Sequence, residues 1–157
     1  MGANCIWKSL VAGACGSAAH SGLMFLKSRM GWLPSFHPYE DLQHALSELV
    51  GSAVPAAIPW ALSFLNGAVV LGFLFGRTYR LLPGRRGAMK GLVFGLAGWI
   101  AMGMLFFPML NQGLFASRAG LGALPALFSL AMLLTYSVIM GIAYSALDRE
   151  SGAAAEW

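Results

Sequence analysis

Four long stretches of the chain are apolar without alternation: residues 6–26, 54–75, 88–110 and 124–147. Each approaches the roughly 20 residues that a helix needs to cross about 30 Å of hydrocarbon. In lipid every backbone N–H and C=O needs an internal partner, so the spans are predicted as helices. A membrane barrel would alternate apolar and polar positions, and these runs do not. The connection between the first two runs is different. Gly31-Trp32-Leu33-Pro34 breaks the first helix, and residues 37–52 then read HPYEDLQHALSELVGS. Leu42, Ala45, Leu46, Leu49 and Val50 recur at helical spacing and form one apolar face. Glu40, Asp41, Gln43, Ser47 and Glu48 fall mainly on the other face. Pro38 suits a first helical turn, the acids after it suit the positive end of the dipole, and Gly51 suits a stop. The pattern predicts a short amphipathic helix over 38–51 on the outer membrane surface. It docks through Leu42, Leu46 and Leu49, on a partner protein or on its own bundle. It has no basic residue, which argues against binding to anionic lipid.

Composition agrees with the pattern. Of the 157 residues, 58% are hydrophobic and 10% charged, where a soluble domain carries about a quarter charged. Too few polar side chains exist to cover a surface facing water. The expected fold is therefore all-α and integral to the membrane, one four-helix transmembrane domain. The net charge of +4 is not a nucleic-acid signal, because the basic residues cluster at the ends of apolar runs. Arg77, Arg80, Arg85, Arg86 and Lys90 lie between the second and third runs and share a side with Lys8 and Arg149; Lys27, Arg29 and Arg118 lie on the other. This asymmetry predicts both termini in the cytoplasm. Leu82-Pro83-Gly84 makes the basic loop a tight turn. Trp7, Trp32, Trp60 and Tyr79 near the run ends read as interfacial anchors. Ser17-Ala18-Ala19 resembles a cleavage site, but apolar character continues through Leu26, so the first helix is expected to be retained. Cys5 and Cys15 would stand about 15 Å apart on a helix, beyond disulfide reach, and read as small apolar fillers.

The first and third runs echo each other. Lys8/Lys90, Leu10/Leu92, Val11/Val93, Gly13/Gly95, Gly16/Gly98, Ala19/Ala101, Leu23/Leu105 and Phe25/Phe107 match at an offset of 82 residues. The second and fourth echo at 69, through Leu65/Leu134, Val69/Val138, Gly72/Gly141 and Phe75/Tyr144. The expectation is a duplicated helical hairpin, residues 6–80 and 88–147, with the amphipathic segment inserted in the first copy and a short polar tail at 148–157. Odd helices point the same way, so the repeat would be parallel. Gly13, Gly16, Gly72, Gly91, Gly95, Gly98 and Gly141 are the expected packing positions, where small residues let backbones approach and gain van der Waals contact. Lys8 and Lys90 read as topology markers or lipid-phosphate contacts.

Groups that could carry chemistry are sparse. His20 is the only histidine inside an apolar run. It is a candidate cofactor ligand, haem included, with Met102 as its repeat partner, against the plainer reading of an imidazole bonded to a neighbouring helix. His37, His44 and Glu48 form a candidate metal set on the external helix, without the H-E-x-x-H pattern. Asn66 is expected to bond across helices from the middle of the second run. No acidic residue lies within the four runs as drawn, which disfavours coupled transport. No catalytic constellation appears, so no enzyme activity, cofactor or resident metal is predicted.

Lys90-Gly91-Leu92-Val93-Phe94-Gly95, the turn Met30-Gly31-Trp32-Leu33-Pro34, and residues 108–115, Pro-Met-Leu-Asn-Gln-Gly-Leu-Phe, complete the picture. Together they resemble an uncharacterised class of small four-helix bacterial inner-membrane proteins carrying a domain of unknown function. That resemblance implies a bacterial inner membrane and transfers no catalytic residues. The expected role is a non-catalytic accessory subunit of a larger membrane complex, respiratory or photosynthetic, with lipid and other membrane subunits as partners. The alternatives are a homo-oligomeric transporter or channel, and a haem-carrying electron-transfer protein through His20.

Overall fold

A computed structural model describes residues 3–31, 37–109, 111, 113–119 and 122–153. Five helices make up the fold among these residues. They are α1 (Ala3–Met30), α2 (Pro38–Val50), α3 (Ala57–Thr78), α4 (Gly87–Met109) and α5 (Leu124–Ala153). A 3-10 turn over Leu114–Ala119 precedes α5. Four helices are long and apolar enough to cross a membrane, and no strand occurs among the described residues. This is the architecture of a multi-pass membrane protein. Trp32, Leu33, Pro34, Leu110 and Gln112, named above for a turn, an anchor and a motif, lie outside the described residues.

The helices outrun the apolar stretches at several ends. α5 continues past Leu147 to Ala153, so the polar tail begins as the last turns of a helix. A helix ends where its backbone bonds end, not where its side chains change polarity. The span over Leu124–Arg149 consequently contains an acid, Asp148. α3 and α4 are each continuous but not uniformly wound. Asn66–Leu71 in α3 and Met102–Phe106 in α4 are π-helical. Two carbonyls of α3, one just before its π-helical turn and one within it, meet side chains of neighbouring helices. Ser17 Oγ donates to Phe64 O at 3.2 Å, and Tyr136 Oη donates to Gly67 O at 2.7 Å. Side chains from α1 and α5 thus satisfy backbone groups at membrane depth, where water is absent to do so.

α1 packs on α3 and on α5, and α5 packs on α1 and α4. The outer helices α3 and α4 meet at one end, where Phe75 and Phe94 lie edge to face at 5.2 Å. The centre is filled by Ala12, Phe75, Tyr136, Met140 and Tyr144, all nearly inaccessible. Backbones touch through small residues. A Cβ on Gly13 would collide with the Ala68 carbonyl of α3, and one on Gly91 with the Ser137 carbonyl of α5. Gly72 lies over Ser9 and Gly13, and Gly141 over Gly87 and Gly91. Gly76 meets the hydroxyl of Ser9, and Gly87 meets that of Ser145. Each of these contacts of α1 with α3 has a counterpart between α4 and α5. The counterparts are 69 residues apart on α3 and α5 and 78 apart on α1 and α4. The sequence echo at 82 differs by one helical turn, because letter identity does not mark which turn touches the neighbour. Gly98 packs less tightly than expected: a Cβ there would make only ordinary contact with Leu133 Cδ2 at 3.5 Å.

α2 starts at Pro38 and stops at Gly51, whose left-handed φ of 71° closes the helix through its N–H on Ser47 O at 3.0 Å. A left-handed residue favours glycine.

Candidate functional site

The basic end of the bundle gathers the most chemistry. It is built where α1 and α4 begin and α3 and α5 finish. Lys8, one turn into α1, is buried, and its Nζ donates to Asp148 Oδ1 of α5 at 2.9 Å. Lys90, one turn into α4, donates from Nζ to the Tyr79 backbone carbonyl at 2.7 Å. The same ammonium lies 4.1 Å from the Tyr79 ring centroid, a cation–π contact. Tyr79 stacks on Tyr144 at 4.5 Å, and Phe75 meets both rings edge to face at 5.5 and 5.8 Å. Tyr144 Oη and Cys5 Sγ are 3.4 Å apart. Burial pushes the Tyr79 phenol up, and the Asp148 carboxylate pushes it further, so the hydroxyl stays protonated.

These groups border a cavity of about 340 Å³, lined by Cys5, Gly76, Arg77, Tyr79, Arg80, Lys90, Tyr144 and Asp148. Arg77 and Arg80 are exposed and make no hydrogen bond or ion pair with the described residues. Sequence reading named the lysines and arginines but missed the aromatic pair and Asp148. The signal for Tyr144 was present in its echo of Phe75. Asp148 directly follows Leu147, where apolar character ends, so hydropathy leaves it outside the span.

The other candidates lie apart. His20 is in the far half of α1, its ring edge-on to Tyr136 at 6.5 Å and against the Met132 backbone. His37 flanks α2, with Nδ1 3.4 Å from Glu40 Oε1. His44 and Glu48 are exposed on α2. No group of three or more His, Cys, Asp or Glu side chains that could hold a metal forms among the described residues. Asn66, expected to bond across helices, does not: it is exposed and makes no side-chain hydrogen bond with the described residues. Gly67 and Ala68, the next residues of the π-helical turn, face inward in its place.

α2 docks on the start of α3. Tyr39 packs on Trp60 at 4.5 Å and its hydroxyl meets Ser63 Oγ at 3.0 Å. Gln43 Nε2 donates to Val54 O at 2.7 Å, and the Val54 N–H donates to Ser47 Oγ at 3.1 Å. The side chains that fix α2 are therefore the stripe Tyr39, Gln43 and Ser47. The polar members of this stripe were assigned above to the solvent face. A polar residue at the edge of an apolar face goes inward when loop backbone groups there need partners. Leu42 and Leu46 are half-buried, while Leu49 is 83% exposed.

No curated protein and no solved structure matches the chain. A family model described as "Family of unknown function (DUF6789)" matches residues 3–154, nearly the whole length, and the chain belongs to that family.

Proposed function

We propose that the chain is a non-catalytic accessory subunit of a larger bacterial inner-membrane complex, with both termini in the cytoplasm. The observation that supports this reading is Asn66. Its amide stands near the middle of the span Ala57–Thr78, exposed and without a partner among the described residues. An amide facing hydrocarbon forgoes its hydrogen bonds at a cost of about 1–3 kcal/mol or more. A polar side chain on a second polypeptide removes that cost. Leu62, Leu65, Val69, Val70 and Phe73 surround it with exposed apolar surface, which packs equally well on lipid or on another helix.

We also read the bundle as a duplicated hairpin, with α2 as an insert in the first copy. The paired contacts at constant separations of 69 and 78 support it. Under this reading the two hairpins share one packing solution and differ in what they expose.

A transporter or channel formed by several copies is the second reading. Phe75 and Met140 close the centre of the single bundle, so any path would run between copies. The haem reading rests on His20, which lies edge-on to Tyr136, the residue whose hydroxyl holds the Gly67 carbonyl.

Extraction in a mild neutral detergent followed by native mass measurement tests the proposal. Another polypeptide should accompany the chain, and Asn66→Leu should release it while leaving the bundle folded. Self-copies alone, released by the same substitution, would favour the oligomer. A monomer with no companion, unchanged by Asn66→Leu, would overturn both.

A further inference from the structure

The cavity at the basic end has a composition that the packing of four helices does not require. Three of its lining side chains are cationic, Arg77, Arg80 and Lys90, and one is anionic, Asp148. Asp148 is already engaged by Lys8, which lies directly behind it. The wall is therefore positive even after its carboxylate is counted. Arg77, in the last turn of α3, and Arg80, in the turn that follows it, stand three residues apart and both line the cavity. Lys90 uses one ammonium hydrogen on the Tyr79 carbonyl and keeps two more. The Tyr79 phenol is held in its protonated, donating form. Arg85 and Arg86, equally basic and only a few residues away, do not line the cavity. A volume of about 340 Å³ falls in the range of small-molecule sites. It holds more than a bare carboxylate, and guanidinium forks match tetrahedral oxyanions bidentately.

The depth of the cavity is equally specific. The spans begin at Cys5 and Gly87 and finish at Thr78 and Arg149, and these four ends surround it. It therefore stands at the level of the phosphates that border the hydrocarbon. Basic pockets between membrane helices at that level suit anionic headgroups.

We infer that this cavity binds a phosphate group, with Arg77 and Arg80 as its principal ligands and Lys90 and the two tyrosine hydroxyls completing the donor set. The phosphate comes either from an anionic glycerophospholipid or from a small soluble phosphate; the chemistry of recognition is shared. The site requires the membrane bundle and no partner subunit, so it stands or falls separately from the accessory role.

The test uses the full chain in nanodiscs. Retention of phosphatidylglycerol is compared with that of phosphatidylcholine by native mass measurement after detergent exchange. Inorganic phosphate and pyrophosphate are supplied as competitors. Phosphatidylglycerol should be retained preferentially. Arg77→Gln/Arg80→Gln should weaken retention by at least about tenfold, as expected for losing charged hydrogen bonds. Arg85→Gln/Arg86→Gln, outside the cavity, should change it by less than about twofold. In the unmodified chain, retention should fall as salt rises. Displacement by pyrophosphate identifies a site open to soluble phosphates, and lipid retention without displacement identifies a headgroup site. Equal loss in both double variants would reduce the basic end to a diffuse topological charge and overturn the inference. So would equal retention of the two lipids with no binding of either competitor.

Discussion

A methyl group added at Gly91 would collide with the Ser137 carbonyl of α5, whereas at Gly98 it would meet only the end of a leucine. Glycines seven residues apart on one helix thus have different meanings. Gly91→Val should destabilise the bundle by about 1–3 kcal/mol through overpacking, or more where the helices separate. Gly98→Ala should be neutral or stabilising by up to about 1 kcal/mol, because the helix gains propensity at a site with room. Reversible unfolding in mixed micelles, followed by circular dichroism, checks both. Tyr136 offers a gentler perturbation. Tyr136→Phe removes the bond to Gly67 O, which the Gly72 N–H still engages within α3. The expected loss is about 0.6–1.7 kcal/mol in the same assay, the range for hydrogen bonds between membrane helices.

Among the elements, α2 is the one held by the fewest contacts. Burial raises the Tyr39 phenol above its ordinary range, and the Ser63 hydrogen bond opposes this more weakly. A pKa higher in the folded state adds stability that is fully present below the unfolded value and is lost as pH rises from that value through the folded one. The docking of α2 should therefore loosen above about pH 10, where an unfolded tyrosine ionises. Faster proteolysis of the 37–56 segment at pH 10.5 than at pH 8, abolished in Tyr39→Phe, is the expected observation; a pH-independent rate would contradict it. The element itself was legible in the sequence, with its proline start and glycine stop. The side chains that fix it were not. Hydrophobic periodicity reports which residues avoid water, and it cannot report that the Val54 backbone needs Gln43 and Ser47 as partners.

For the whole molecule, the proposed topology has four spans and therefore both ends of the chain on one side of the membrane. With Cys5 and Cys15 replaced by Ser, a cysteine introduced at Ser52 should react with an impermeant maleimide from the side opposite to one at Arg85. Under the topology proposed above, the excess of arginine around Arg77–Arg86 assigns the latter side to the cytoplasm. The same arginines divide at this scale into two kinds. Arg77 and Arg80 line a cavity, and Arg85 and Arg86 only contribute charge to the turn. Nothing in their spacing separates them, since the difference lies in where Gly76 and the Tyr79–Tyr144 pair leave space.

By itself the sequence determined the solvent and the number of crossings. An apolar run of about 20 residues has no stable place in water, and lipid leaves its backbone no choice but a helix. It also determined which glycines were available for close approach. Only the tertiary structure decided which of those glycines touch a backbone, that the contacts recur one turn away from the letter echo, and that Asn66 faces outward. It alone brought Lys8 to Asp148 and Lys90 to Tyr79. Those outcomes depend on the rotation and register of helices against one another. In hydrocarbon, rotation and register are set by shape and by hydrogen bonds between segments distant in the chain, with no hydrophobic drive to reveal the inward face in advance.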